Sequence, residues 1–175
     1  MIDFSRNHFQ LFGLPEHFRV EPGALDRAYQ ELQSDVHPDR YATAGVTEQR
    51  LALQASARVN EAYRSLKDPV ARAQYLLSLH GVNAVDETDT RLPLEFLERQ
   101  LERREAASDA AANGDIAGLE RILEEVQAEA RALEAGVASL LDEKAWDGAR
   151  GPVRELRFVT KVVADIDAML AMVEG

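Results

Sequence analysis

The chain has 175 residues, no cysteine and a formal net charge of −11: enough length for one or two small domains, and no thiolate for a disulfide, a zinc site or an iron–sulfur cluster. Only 6% of the residues are aromatic, while Ala, Leu, Glu and Arg recur throughout, a composition that favours helix over strand. Nine Lys/Arg face ten Asp/Glu through Gly81 and eleven face twenty-one beyond it, so the second part is acidic, repels phosphate backbones and argues against a nucleic-acid partner.

At the N-terminus, Asp3 and Arg6 interrupt the stretch where a signal peptide would be apolar. No apolar run approaches the ~20 residues of a membrane span. The expectation is a soluble, intracellular protein with no membrane partner. Phe9-Gln10-Leu11-Phe12-Gly13-Leu14-Pro15 reads as a brief first helix stopped by Gly and Pro. Pro22 suits a first helical turn, and Leu25, Tyr29, Leu32 and Val36 follow at spacings of four, three and four, one amphipathic stripe that Pro38 ends. Residues 37–45 read as a loop. A second amphipathic helix then carries Leu51, Ala55, Val59, Ala62 or Tyr63, and Leu66. Two such helices with a short connection pack as an antiparallel hairpin. Asp68-Pro69 restarts the chain for a helix to His80, closed by Gly81.

Residues 82–92 are polar and without periodicity, a linker. Pro93 opens a charged helix to about Ala112, and Asn113-Gly114 breaks it. Ile116, Leu119, Leu123, Val126, Ala130, Leu133, Val137 and Leu140 then alternate spacings of three and four. After a break expected around 148–152, Leu156, Val159, Val163, Ile166, Leu170 and Val173 do the same. Heptad spacing on consecutive helices predicts a left-handed antiparallel bundle. The fold class expected is therefore all-α: residues 1–81 built on a helical hairpin, and residues 93–175 a three-helix antiparallel bundle.

His37-Pro38-Asp39 falls in the loop of the expected hairpin. As a bare tripeptide it arises by chance in about one chain in a hundred of this length. Its position between two amphipathic helices raises its meaning. Pro38 fixes its own φ and biases His37 away from helix, so the corner is stiff and loses little entropy on docking. Asp39 offers a charged acceptor and His37 an imidazole. The bland alternative is a helix stop in which Asp39 caps the next turn. Catalysis is disfavoured: no Gly-x-Ser-x-Gly elbow or phosphate-cradling Gly-rich loop accompanies the pair. His8, His17, His37 and His80 never stand at the i, i+4 spacing of a helical metal pair. Neither enzyme activity nor a cofactor is expected.

The short first helix, the His-Pro-Asp loop between amphipathic helices and Arg72-Ala73-Gln74-Tyr75-Leu76 resemble the J-domain over residues 3–81. The closest resemblance is to the HscB family, co-chaperones of iron–sulfur cluster assembly. It is carried by Leu11-Phe12-Gly13-Leu14-Pro15, His37-Pro38-Asp39, Tyr75-Leu76-Leu77-Ser78-Leu79-His80-Gly81 and Leu156-Arg157-Phe158. That resemblance spans nearly the whole chain. It implies two protein partners: a DnaK/HscA-type ATPase chaperone met by His37, Pro38, Asp39, Arg27 and Arg40, and an IscU-like iron–sulfur scaffold met by Leu97, Leu101, Glu102, Glu105 and Phe158. Taken alone, Phe158 lies roughly 110° off the centre of its helix's apolar stripe, which fits a core flank or an exposed anchor; Leu97 and Leu101 fit bundle core equally well.

Two departures from the family pattern stand out. The helix before the loop carries only Arg27 among acidic Asp26, Glu31 and Asp35, and Arg40 stands where Lys is more usual. Glu98 stands where a Met is familiar. A general J-protein for unfolded clients is the nearest alternative, but the chain lacks a Gly/Phe-rich segment and Cys-x-x-Cys repeats. A structural helical adaptor with an accidental tripeptide is the other.

Overall fold

The computed structural model describes residues 2–84 and 91–175 of the chain, and those residues form seven α-helices in two compact units, Met1–Leu79 and His80–Gly175. The linker expected at 82–92 falls largely on residues 85–90, outside the described residues.

In the first unit, α1 (His8–Leu11) starts at Asn7, whose side chain accepts the Gln10 N–H while the Gln10 side chain accepts that of Asn7. This reciprocal cap supports a helix of a single turn. Gly13, at φ +64°, turns the chain out of it. The hairpin follows as α2 (Pro22–Val36) and α3 (Val46–Lys67). Pro22 occupies the first turn, and the Glu21 carboxylate accepts the amides of Gly23 and Ala24. Leu25 and Val36 from α2 meet Ala55, Val59, Ala62 and Leu66 from α3, all buried. At the choice between Ala62 and Tyr63, Ala62 takes the core position. Tyr63 lies half-buried beside it, stacked on Tyr29 at 4.0 Å, and its hydroxyl donates to Asp26. The Tyr29 hydroxyl donates to Asn60, and Lys67 bonds Asp26 at 2.7 Å. These cross-links fix the antiparallel register: Tyr29 opposite Asn60, Asp26 opposite Tyr63 and Lys67. The Lys67 ammonium, then the Tyr63 hydroxyl, hold the Asp26 carboxyl below its ordinary pKa.

Helix α4 (Pro69–Leu79) begins with the Asp68 carboxylate accepting the Ala71 amide and buries Val70, Ala73, Leu76 and Leu77. Arg72 is buried with them, donating to the Leu66 carbonyl, where α3 ends, and lying over the Phe18 ring. Tyr75 joins α4 to α1: its hydroxyl accepts the His8 amide, and its ring stacks on the His8 imidazole at 4.0 Å.

The second unit comprises α5 (Leu94–Ala112), α6 (Ile116–Asp142) and α7 (Trp146–Glu174). Asn113-Gly114 turns α5 into α6 as expected, with Gly114 at φ +65°. Asp115 then caps α6 through the Gly118 amide, and any Cβ at Gly118 would collide with that carboxylate. The break expected around 148–152 is absent. The chain turns at Glu143–Ala145 instead, with Lys144 at φ +59°, and α7 runs unbroken through Gly148, Gly151 and Pro152. Proline disfavours helix partly by crowding the Cβ of the residue before it, and Gly151 has none. The core gathers Phe96 and Ala107 from α5, Leu119, Ile122, Leu123 and Val126 from α6, and Val159, Val162 and Ile166 from α7. Ile122 and Val162 join residues the heptad reading anticipated, while Ile116, Ala130, Leu133 and Val163 are less buried. Helices of this length drift about 20° per heptad from a strict 3.5 repeat, which moves the buried stripe sideways. Near the start of α7, the Trp146 indole stacks on the His80 imidazole at 3.8 Å with planes 6° apart.

Burial, then the charge of Arg58, holds the His8 imidazole below its ordinary pKa; Glu61 opposes them. The unfolded chain therefore takes up a proton below about pH 6.5 that the folded chain resists, and stability falls as pH drops through that value toward the depressed one. His8→Phe keeps the stack on Tyr75 and removes the titration. Urea unfolding followed by far-UV circular dichroism between pH 7.5 and 5.5 is expected to show a shallower loss of stability in His8→Phe than in the parent.

Candidate functional site

Two sets of residues stand out, one in each unit. The first is the corner after α2. A helix that stops short of a proline cannot close with the usual backbone amides, because Pro38 has no N–H to give and His37 sits at ψ 128°, outside the left-handed cap. The orphan carbonyls of the last turn are met by side chains instead. Arg40 Nη1 donates to the Ser34 carbonyl at 3.3 Å and to Asp35 Oδ1 at 3.0 Å, and the Tyr41 hydroxyl donates to the Asp35 carbonyl at 3.3 Å. Pro38–Tyr41 forms one 3-10 turn where the sequence reads as loop. Pro38, at its first position, already has the φ this turn needs.

His37 and Asp39 both face solvent, Asp39 with 90% of its side chain exposed and His37 with 48%. Nδ1 of His37 accepts the Asp39 amide at 3.3 Å, and Asp39 Oδ2 lies 3.6 Å from the same nitrogen. With Nδ1 engaged as an acceptor, the neutral ring carries its proton on Nε2, the nitrogen left to a partner. The corner thus offers a donor and a carboxylate side by side on a turn with little freedom. His37 and Arg40 also border a shallow open groove along α2 with Tyr29, Gln30, Gln33 and Ser34. Arg27 lies on the outer face of α2, 3.8 Å from Glu21.

The second set lies on α5. Leu97 is 36% exposed and Leu101 58%, so neither belongs to the bundle core. Leu94, 70% exposed, shares their face at i, i+3 and i+7. Sequence reasoning passed over it because it sits at the helix start, although the spacing was there to read. Phe158 on α7 is half-buried; its ring meets that of Phe96 edge-on at 5.7 Å, beside this stretch of α5. Core flank and partly accessible anchor both describe it. Glu98, Glu102 and Glu105 are exposed along the same helix. Three leucines on one helical face flanked by carboxylates have the anatomy of a transient interface, an apolar centre with a charged rim.

Among the described residues, no cluster of three or more His, Asp or Glu is arranged to hold a metal ion, and no helix is long and apolar enough to cross a membrane.

Comparison with known proteins concerns the chain as a whole. Residues 92–167 match the family model described as the HSCB C-terminal oligomerisation domain. The chain is 44% identical to the co-chaperone protein HscB homolog of Burkholderia thailandensis, over 99% of both chains. It superposes on the chaperone HscB from Vibrio cholerae with a TM-score of 0.87 at 34% identity, covering 96% of this chain and 99% of that one. Human co-chaperone HscB matches with a TM-score of 0.87 at 29% identity, over 95% of this chain and 83% of the human one. An exposed His-Pro-Asp corner on a helical hairpin, a three-helix bundle and likeness along nearly the full length lead to one assignment: the chain is an all-α protein of the HscB family of J-domain co-chaperones of iron–sulfur cluster assembly.

Proposed function

We propose that this protein brings an iron–sulfur scaffold protein of the IscU type to a dedicated DnaK/HscA-type chaperone and stimulates that chaperone's ATPase. The observation that carries the reading is the solvent-facing His37/Asp39 pair on its side-chain-locked corner, in a chain similar to HscB co-chaperones over its whole length. His37 Nε2 donates and Asp39 accepts at the chaperone surface, and Pro38 keeps the two in register. Arg27 adds a positive charge that steers approach. Arg40 is tied into the end of α2, so its larger effect on docking runs through the shape of the corner. The ATPase chemistry belongs to the chaperone's own site.

The scaffold binds the α5 face. Leu97, Leu101 and Phe158 supply the apolar centre, Leu94 extends it by one turn toward the start of α5, and Glu102 and Glu105 on the rim meet basic groups of the scaffold. Rim charges of this kind act mainly on specificity and association rate. With Glu98 where a Met is familiar, Leu94 restores apolar area on the other side of Leu97. Joining two weak sites in one chain raises the effective concentration of scaffold at the chaperone, a gain that needs neither contact to be tight.

Steady-state ATP turnover of the chaperone is expected to rise on adding this protein with scaffold. His37→Gln is expected to abolish the increase; an unchanged turnover with the parent protein would remove the co-chaperone reading. Titration calorimetry against purified scaffold is expected to show losses of about 1–3 kcal/mol for Leu97→Ala and Phe158→Ala and a smaller one for Leu94→Ala. Asp35→Ala and Arg40→Ala are each expected to lower ATPase stimulation, with little further loss in the double variant. An Asp35→Ala protein as active as the parent, beside an impaired Arg40→Ala, would instead make Arg40 a direct contact.

A further inference from the structure

A polar cluster that neither partner site accounts for joins α5 to α6 beside the face that carries Leu97 and Leu101. Gln100 is fully buried, 0% exposed, and its amide donates to Glu129 Oε2 at 2.9 Å. Arg99 donates to Glu129 Oε1 at 3.1 Å, and Arg103 also bonds Glu129. One α6 carboxylate thus gathers three polar side chains of α5: buried Gln100, partly buried Arg103 and the more exposed Arg99. Burial alone would push the Glu129 carboxyl up in pKa, but the hydrogen bonds from Gln100, Arg103 and Arg99 outweigh it and hold the group below its ordinary value. On α7, burial, reinforced by the charge of Glu129 and opposed by that of Arg99, holds Glu155 above its own. Glu129 is partly buried and its Gln100 partner is fully so, which makes these bonds costly to lose and fixes their direction as well as their proximity.

The cluster leads to the exposed face. The Arg99 guanidinium that bonds Glu129 also lies over the Phe96 ring, 5.8 Å from its centroid, and Phe96 meets Phe158 edge-on. Apolar packing tolerates sliding and rotation of a helix, whereas three directed hydrogen bonds to one carboxylate do not. We propose that Glu129, which lies outside the α5 face, is a positioning residue for scaffold binding: it sets the rotation of α5 that presents Leu97 and Leu101, and through Arg99 and Phe96 it holds Phe158 in place. The proposal rests on the α5 face being the scaffold site.

The test is titration calorimetry of the full-length protein against purified cluster-free scaffold, with urea unfolding to confirm that each variant is folded. Glu129→Ala is expected to weaken scaffold binding about tenfold, and Glu129→Gln, which keeps the size and one acceptor oxygen, about threefold. Arg99→Met, which removes the guanidinium and keeps the stem, is expected to weaken it by a similar threefold, and it carries the test together with Glu129→Gln should Glu129→Ala fail to fold. In a Phe158→Ala background the Glu129 substitution is expected to cost clearly less than in the parent, since both act on one aromatic. Stimulation of the chaperone in the absence of scaffold is expected to stay at the parent level. If folded Glu129 and Arg99 variants bind within twofold of the parent, or the Glu129 loss is fully additive with Phe158→Ala, the positioning role is wrong although the scaffold site stands. If Phe158→Ala and Leu97→Ala themselves bind as the parent does, the scaffold site falls and takes this proposal with it.

Discussion

The functional corner exists because a helix is made to stop where its backbone has no means of closing itself. Pro38 ends α2, withholds an amide and bars the left-handed turn that would otherwise satisfy the last carbonyls. Ser34 and Asp35 present those carbonyls to solvent, and Arg40 and Tyr41 reach back to them across the turn. The contacts are exposed, and an exposed ion pair such as Arg40–Asp35 contributes little to global stability. Their effect is local: they take freedom from four residues, two of which, His37 and Asp39, keep polar atoms unspent for another molecule. Stability and presentation are supplied by different parts of the hairpin. The buried Leu25, Val59 and Leu66 hold the helices together, and the surface side chains decide the shape of the tip.

The bundle divides the same labour differently. Its apolar core is generous enough to hold three helices together, yet aliphatic contacts alone define rotation about a helix axis poorly. Polar residues between the helices, from buried Gln100 out to the exposed Arg99 and Arg104, add direction. Gln100, Arg99 and Arg103 converge on Glu129, and Arg104 bonds Asp165 at 2.9 Å, so α5 is tied separately to α6 and to α7. An exposed leucine is informative only if its direction is constant, and these ties give Leu97 and Leu101 that constancy. Within this network the buried Gln100 amide is the member whose partner is costliest to remove, since solvent cannot replace that hydrogen bond.

Much of this could be read from residue order. The four-three-four spacing of Leu25, Tyr29, Leu32 and Val36 announced α2, Pro38 announced its end, and the Asn113-Gly114 pair placed the α5–α6 turn. What escaped has physical causes. Gly148, Gly151 and Pro152 are all helix breakers by propensity, yet α7 runs through them, and a residue without a Cβ before the proline removes one of the clashes that would stop it. The turn that does occur depends on Lys144 in a left-handed conformation, which no sequence signal marks. Phe158 was ambiguous because an angle from a stripe does not say how far a neighbouring helix reaches around; the half-buried outcome follows from Phe96 arriving edge-on. The role of Arg40 within the corner was hidden because a charged residue beside a recognition motif looks like a contact, and the carbonyls it serves have no letter in the sequence.

The single tryptophan gives the molecule an optical asymmetry. Trp146 belongs to the second unit and stacks flat on His80, so its emission reports the packing around that ring. The emission therefore offers a dye-free signal for the integrity of that stack, and loosening of the second unit around it can be followed without a label.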